Sequence, residues 1–321
     1  MTVAAAALLA VLTSCGGGQG STPTASPSAS TGAPSATKSS RSASPSSSTT
    51  PSPKAAPSTE TTGPVVTKVL VVMVENHSLD QMKQGMPYTF GLAQRYGYAT
   101  RYRAITHPSL PNYLAIAGGQ TFGVADDHPP GEHPIHGSSV FGQAIALHET
   151  AGLYADAMPT TCATEDSGEY AVKHNPWAYF VDERSACSRY DRPYSAFAGD
   201  VSAGRLPNAG MVIPDLCHDA HDCDLSVTDD WFRQLMSAAF AGPDWKSGHL
   251  AVVLTADEDD HNQDNTVLTV VIHPSQSHHV VSQPLDHYSL TRLYDDVLGA
   301  PHLGEAGRAP DLAKVFGLPV Q

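Results

Sequence analysis

Three runs of β-branched and other apolar residues stand out along the chain. They are KVLVVMVE at 68–75, HLAVVLTADED at 249–259 and TVLTVVIHP at 266–274, and the first two end in acidic residues. Continuous apolar runs of this length are typical of strands that are buried on both faces of a sheet, as parallel strands are. The pattern therefore predicts three buried strands.

Between these runs, apolar residues recur with helical spacing in segments that stop at or near a glycine. The clearest segments are MPYTFGLAQRYG, SVFGQAIALHETAG and DDWFRQLMSAAFAG. Strands that alternate with helices predict an α/β fold, a sandwich in which helices flank a mainly parallel central sheet.

Polar residues follow two of the predicted strands. Glu75 and Asn76 come after the first strand, and Asp257 and Glu258 come after the second. Ligands of open α/β sheets bind beyond the carboxyl ends of the strands, so we expect these residues to meet if both strands are parallel and central. Three carboxylates and one amide oxygen predict a site for one divalent cation of the Ca²⁺, Mg²⁺ or Mn²⁺ type. The alternative is that they are ordinary solvated loop residues.

The N-terminal part of the chain does not read as a globular domain. Residues 1–15 contain a short apolar run and end in LTSC, which predicts a signal peptide with a lipobox-like end and lipidation of Cys15. An incidental cysteine is the alternative. Residues 16–64 are rich in Ser, Thr, Pro and Gly and predict a disordered tether. We therefore expect an exported protein, anchored to a membrane through its lipidated N-terminus or secreted, with a catalytic domain at 65–321.

Charge argues against one class of partner, and the cysteine content predicts disulfides. The formal net charge of −14 argues against nucleic acid as a partner, and we expect a monomer. Four cysteines follow the tether, and an even number in an exported chain predicts two disulfides. We pair Cys162 with Cys187 and Cys217 with Cys223, although four cysteines allow three pairings. A zinc site in the segment CHDAHDC is the competing interpretation.

The segment HPSLPNYLAIAGG at 107–119 sets a serine between two prolines at the entrance of a predicted helix at 112–118. A hydroxyl at a helix N-terminus lies in a field that favours negative charge and attracts phosphate. Ser109 is therefore a candidate nucleophile, with a plain helix cap as the alternative.

Five motifs appear in a fixed order: VENHSLD, HPSLPNYLAIAGG, KHNPW, IPDLCHDAHDC and LTADEDD. In this order they resemble a bacterial phosphoesterase family that contains acid phosphatases and non-haemolytic phospholipases C, within the alkaline phosphatase superfamily. SLPNY also looks like the signature of nucleotide pyrophosphatases in which the first residue is phosphorylated. The resemblance implies an alkaline-phosphatase-like sandwich, Ser109 as nucleophile and Asn112 as a donor to the phosphoryl oxygen. Glu75, Asn76, Asp257 and Glu258 would be the metal ligands.

Several histidines lie inside or beside these motifs. Phosphoryl transfer needs donors for the developing charge and an acid for the leaving group. We expect His174 and His221 to be catalytic, and His107, His218 and His287 to contact the substrate. For each of them, a structural histidine with backbone partners is the alternative.

The resemblance implies a phosphomonoesterase that works through a covalent phosphoserine, with a phosphoinositide such as phosphatidylinositol 3-phosphate among its substrates. The first alternative is a phospholipase C that releases phosphorylated head groups. The second alternative is a surface lipoprotein that binds phosphate or metal without turnover.

Overall fold

A computed structural model describes residues 64–321 of the chain. The predicted signal peptide at 1–15, the lipidation site Cys15 and nearly all of the predicted tether lie outside the described residues. Among the described helices, none combines the length and apolar character needed to cross a bilayer.

A single sheet of nine strands forms the centre of residues 64–321, in the order β4-β3-β5-β1-β6-β7-β2-β8, with β9 also paired to β2. The strands are β1 (Lys68–Val74), β2 (Gly97–Arg103), β3 (Ala151–Ala155), β4 (Asp191–Pro193), β5 (Ala209–Ile213), β6 (Leu250–Ala256), β7 (Thr266–Ile272), β8 (His279–Val281) and β9 (Leu285–Asp286).

Helices cover the sheet. They are α1 (Leu79–Gly85), α2 (Pro87–Arg95), α3 (Ser109–Gly118), α4 (Val140–Ala146), α5 (Arg184–Tyr190), α6 (Phe197–Ser202), α7 (Leu225–Ala241), α8 (Pro243–Lys246), α9 (His287–Leu298) and α10 (Leu312–Phe316). Short 3₁₀ helices lie at Val172–His174, Pro176–Tyr179, Val181–Glu183, Tyr194–Ala196 and Gly304–Gly307. The predicted α/β fold with a mainly parallel sheet is confirmed.

The three apolar runs form β1, β6 and β7, and β6 and β7 are buried along nearly their whole length. The strand β7 runs antiparallel to both of its neighbours. Its direction follows from the short connection at 257–265, because a parallel pair needs a crossover of a dozen or more residues. The other pairings in the sheet are parallel.

The helix after the proline-flanked serine begins three residues earlier than expected. It starts at Ser109, and its N-cap is Pro108. Pro111 is accommodated because the amides of the first helical turn have no partner within the helix. All ten residues of α3 are buried, and the helix packs against α9. Gly119 ends it with φ of 70°, where a side chain would collide with the carbonyl of Leu303.

Both predicted disulfides are confirmed. Cys162 is bonded to Cys187, and Cys217 is bonded to Cys223. Their thiols are consumed, so the competing zinc site with cysteine ligands in CHDAHDC has lost those ligands. The second disulfide closes a small loop that carries Asp219 and His221, and the backbone of this loop is tied to β1 because the Glu75 amide donates to the Asp219 carbonyl at 2.8 Å.

Candidate active site

The carboxyl ends of β1 and β6 place the predicted metal ligands side by side. The two strands are parallel neighbours with Val74 paired to Ala256, so the next residue of each strand, Glu75 and Asp257, emerges at the same edge of the sheet. The Asp257 amide donates to the Val74 carbonyl at 3.0 Å. Asn76 takes a left-handed φ of 54°, which asparagine tolerates, and its amide donates to Asp257 Oδ1 at 3.0 Å.

Ser109 reaches this cluster from the first turn of α3. Its hydroxyl donates to Glu75 Oε2 at 3.0 Å, and the residue is only 2% exposed. Tyr113 lies one helical turn later on the same face, and its hydroxyl donates to the other oxygen of Glu75. The predicted nucleophile therefore contacts a predicted metal ligand directly.

Asn112 shapes the loop in front of the nucleophile. Its side-chain oxygen accepts from the amides of Ile105 and Thr106 at 2.9 and 3.1 Å, while its Nδ2 donates to the Thr106 carbonyl at 2.8 Å. The same nitrogen lies 3.2 Å from Glu258 Oε2. These contacts hold the chain that leads into Ser109; the predicted hydrogen bond from Asn112 to a phosphoryl oxygen stays a prediction.

Glu75 is neutralised by the protein itself. His174 is buried, with Nε2 3.1 Å from Glu75 Oε2 and Nδ1 3.1 Å from Asp219 Oδ2. Burial alone would lower the pKa of His174, but the two carboxylates raise it to about 10, so the ring is a buried cation. Burial alone would likewise raise the pKa of Glu75, but His174 and the hydroxyl of Tyr113 lower it to about 2. The His174 ring also stacks on Tyr113 with centroids 5.2 Å apart.

Asp257 and Glu258 have no such partner. Burial and the charges of Glu75 and Glu258 raise the pKa of Asp257 well above its usual range. Burial, Glu75 and Asp127 raise the pKa of Glu258 to about 8. Asp257 Oδ2 is buried and lacks any hydrogen-bond donor. Unpaired buried carboxylates of this kind are stabilised by a bound cation, so the oxygen-rich set fits a hard divalent ion.

A second metal-compatible group overlaps the predicted ligand set. Ligand atoms of Glu75, His174 and Asp219 all lie within 4.8 Å of one another. This group shares only Glu75 with the predicted set. We favour the predicted set for the cation, because His174 already supplies a positive charge to Glu75 and Asp219, whereas burial and neighbouring carboxylates raise the pKa values of Asp257 and Glu258.

Two of the predicted histidines lie at the site with accessible rings. His221 donates its amide to Asp219 Oδ1 at 2.8 Å, and its ring centroid is 5.9 Å from that of His174. His107 lies with Nδ1 3.1 Å from Glu258 Oε2, and burial and its neighbour His261 lower its pKa.

The other two predicted histidines do not face the site. His287 has 0% exposure, and its Nδ1 and Nε2 lie 3.1 Å from the Tyr102 hydroxyl and 2.6 Å from the Asp257 carbonyl. Its position does not fit the predicted substrate contact, since the ring is enclosed and supports the backbone of Asp257. His218 Nδ1 lies 3.1 Å from Asp156 Oδ2, and its ring stacks on Trp231, so its ring contacts residues outside the acidic cluster around Glu75.

Sequence reasoning missed a cation beside the nucleophile. Lys173 Nζ lies 3.3 Å from Asp127 Oδ2, and Asp127 Oδ1 accepts from the amide of Leu110 at 2.9 Å. Burial alone would lower the pKa of Lys173, but Glu75 and Asp127 raise it. Lys173, Asp127 and His221 line a cavity of about 230 Å³. The motif KHNPW contained the signal, because Lys173 directly precedes His174.

The family model described as the phosphoesterase family matches residues 82–299, about two thirds of the chain. The chain belongs to the phosphoesterase family. A phosphatidylinositol-3-phosphatase from Mycobacterium tuberculosis is 30% identical over 261 residues, which cover 79% of this chain and 84% of that protein. A phosphate-repressible acid phosphatase from Penicillium chrysogenum is 28% identical over 229 residues, which cover 67% of this chain and 55% of that protein.

The fold is also shared with solved structures. A protein in the alkaline phosphatase superfamily from Vibrio parahaemolyticus superposes with a TM-score of 0.54 at 8% identity, over 74% of this chain and 67% of that one. At this identity the likeness concerns the fold alone. The predicted family is confirmed, and this phosphoesterase is a hydrolase that acts on phosphoric esters.

Proposed function

We propose that this protein is an exported, metal-assisted phosphomonoesterase that forms a covalent phosphoserine at Ser109. The observation that carries the proposal is the contact of 3.0 Å between the Ser109 hydroxyl and Glu75 at the carboxyl end of β1. A buried serine in the first turn of a helix, beside a cluster of carboxylate and amide oxygens that suits a divalent cation, supports metal-assisted phosphoryl transfer.

Glu75, Asn76, Asp257 and Glu258 would hold one divalent cation. When bound, the cation would lower the pKa of a nearby hydroxyl and neutralise charge on the phosphoryl oxygens. Mg²⁺, Mn²⁺ and Ca²⁺ suit the oxygen ligands. The ion pair with His174 lowers the pKa of Glu75 to about 2, so this ligand is ionised at neutral pH.

The chain's own groups account for the rest of the reaction. Ser109 Oγ forms a bond to phosphorus as the bond to the leaving oxygen breaks, and the leaving oxygen takes a proton from His221, whose ring is 31% exposed and lines the cavity. Lys173 lines the same cavity as His221 and would supply a positive charge to the phosphoryl oxygens. The hydroxyl proton of Ser109 passes to solvent in this step. Water then attacks phosphorus and gives one proton back to His221, and the bond to Ser109 Oγ breaks. Ser109 Oγ regains a proton from solvent, and phosphate leaves.

Substrate and location extend the proposal. The similarity to a phosphatidylinositol-3-phosphatase supports a phosphoinositide as one phosphate ester that the site accepts. The apolar run at 4–12 followed by LTSC supports export and anchoring through a lipidated Cys15. The protein would then act as a monomer on phosphate esters at the cell surface.

The test uses the full-length protein loaded with Mg²⁺ or Mn²⁺. It compares substitutions of two buried serines, Ser109 and Ser139, each of which donates a hydrogen bond to a glutamate. Ser109→Ala should reduce release of phosphate from an aryl phosphate by about 10³-fold or more, as loss of a covalent nucleophile does. Ser139 also donates to a glutamate, Glu183, but caps α4 outside the site. Ser139→Ala should keep activity within a few-fold.

Acid-quenched turnover of the wild type should give a peptide phosphorylated at Ser109. Retention of more than a few per cent of activity in folded Ser109→Ala would remove this residue from the nucleophile role. Release of phosphorylated head groups from phosphatidylcholine in preference to phosphate from monoesters would instead identify a phospholipase C.

A further inference from the structure

The loop between α3 and α4 carries two histidines and three acids within eight residues, in the segment DDHPPGEH at 126–133. Ligand atoms of Asp126, His128 and His133 all lie within 4.8 Å of one another. Glu132 lies beside this group, with its Oε2 3.2 Å from His128 Nδ1. None of the four belongs to the acidic cluster around Ser109.

Ligand atoms of Asp126, His128 and His133 lie close enough together to share one metal ion. His128 Nδ1 lies 3.5 Å from Asp126 Oδ1 and 3.2 Å from Glu132 Oε2. Ligand bonds of about 2.0–2.1 Å in a tetrahedron separate neighbouring ligand atoms by about 3.3 Å. His133 Nε2 contacts the same Asp126 oxygen, so both imidazoles lie beside one carboxylate.

We propose that Asp126, His128 and His133 bind a zinc-type divalent cation, with Glu132 beside them, as a site separate from the catalytic one. Two imidazole nitrogens with carboxylate oxygens favour Zn²⁺ and its neighbours over Mg²⁺ or Ca²⁺, which prefer oxygen ligands only. His128 and Asp126 have side-chain exposures of 59% and 46%, so an ion reaches them without unfolding of the loop. The proposal does not depend on phosphoserine chemistry.

The bound ion would stabilise the segment 126–133, which contacts the active site through Asp127. Asp127 lies inside the ligand segment and holds both the Leu110 amide and Lys173, which flank Ser109. The Tyr179 hydroxyl donates to the His128 carbonyl at 3.1 Å, which fixes one end of the same segment from outside. A cation that joins residues 126 and 133 would fix the rest.

The test is a Zn²⁺ titration of the full-length protein, stripped with chelator and then saturated with Mg²⁺. The double variant His128→Gln/His133→Gln is compared with His136→Gln, a control in the same loop whose ring is 73% exposed and lies beside Asp182. Calorimetry gives the number of Zn²⁺ ions bound, and Co²⁺ absorption reports tetrahedral coordination. Any Zn²⁺ bound by Glu75, His174 and Asp219 appears in all three proteins and cancels.

We expect the wild type and the control to bind about one more Zn²⁺ than the double variant, with loss of tetrahedral Co²⁺ absorption in the double variant alone. Hydrogen exchange in residues 126–133 of the wild type should slow on addition of Zn²⁺, a measurement that needs no variant. Equal stoichiometry in the three proteins, or unchanged exchange in the wild type at saturating Zn²⁺, would overturn the proposal.

Discussion

The acidic cluster around Ser109 has two parts, which differ in whether a cationic side chain of the protein balances their carboxylates. In the first part, Glu75 and Asp219 flank the charged ring of His174, and Tyr113 and Ser109 donate to Glu75. In the second part, Asp257 and Glu258 are buried beside Glu75 without a cation, and one oxygen of Asp257 lacks a donor. We call these the paired part and the unpaired part.

The two parts therefore have different roles: the paired part positions Glu75 next to Ser109, and the unpaired part creates affinity for a cation. The paired part is neutralised within the protein, so Glu75 keeps a fixed charge and orientation next to Ser109 before any ligand arrives. The unpaired part raises the free energy of the folded state, because desolvated like charges repel. A cation that binds there would remove this penalty, so the same residues that destabilise the fold would create affinity for the metal.

The largest expected effect on stability comes from breaking the paired part. His174→Gln removes the cation and leaves Glu75 and Asp219 buried near each other, which should lower the free energy of unfolding by about 3–5 kcal/mol. Urea unfolding at pH 7 in the presence of chelator measures the change.

His287→Gln is the matched control, since His287 is equally buried but neutral. Burial lowers its pKa to about 4, so the substitution removes hydrogen bonds without removing a charge and should cost about 1–2 kcal/mol. Equal losses in the two variants would show that His174 contributes by packing and hydrogen bonding rather than by its charge.

The fold and half of the site follow from local patterns. The runs that became β1 and β6 are apolar without interruption, and the acidic residues after them, Glu75 and Asp257, meet because parallel strands end at one edge. The direction of β7 was not predicted, because an apolar run carries no information about its partner. The start of α3 was misplaced because Pro111 reads as a helix breaker even where the first turn tolerates it.

The paired part could not be read from the sequence, because its contacts join distant segments. His174 meets Glu75 and Asp219 across separations of about a hundred and of 45 residues, and no local pattern specifies such a triad. Tyr113 is the exception. It lies four residues after Ser109, a spacing that places both on one face of a helix and could have assigned both to Glu75.

Asp191 is a buried acid outside the site that has no carboxylate neighbour. It therefore separates the effect of burial on a carboxylate pKa from the effect of repulsion between carboxylates. Burial raises the pKa of Asp191 to about 7, although Asn175 donates to its Oδ2 at 2.7 Å. Between pH 4 and 7 the folded state therefore holds a proton that the unfolded state releases, and stability falls as pH rises through this range. In Asp191→Asn the decrease in the free energy of unfolding between pH 4 and 7 should be smaller than in the wild type by about 2–4 kcal/mol. Below pH 4 the substitution should leave the free energy of unfolding unchanged.

Denaturant unfolding of wild type and Asp191→Asn between pH 4 and 8 measures that difference. The exposed Asp230, which has a side-chain exposure of 69% on α7, provides the control substitution Asp230→Asn. Parallel pH profiles for wild type and Asp191→Asn would mean that burial alone does not hold the proton on a carboxylate in this core, and the unpaired part would then depend on the repulsion between its own members.

The smallest expected effect on stability has the most direct bearing on the metal. Asp257→Asn keeps the oxygen that accepts from the Asn76 amide and removes the charge and the oxygen that lacks a donor. In chelator the variant should be more stable than the wild type by about 1–2 kcal/mol, since a neutral amide replaces an unpaired buried acid. Saturating Mg²⁺ or Mn²⁺ should reverse the order of stability, because only the wild type gains stability from a bound ion. Metal-dependent activity should likewise be higher in the wild type than in the variant. If the variant is the less stable of the two in chelator as well, Asp257 is satisfied by the protein and the unpaired part does not provide the metal site.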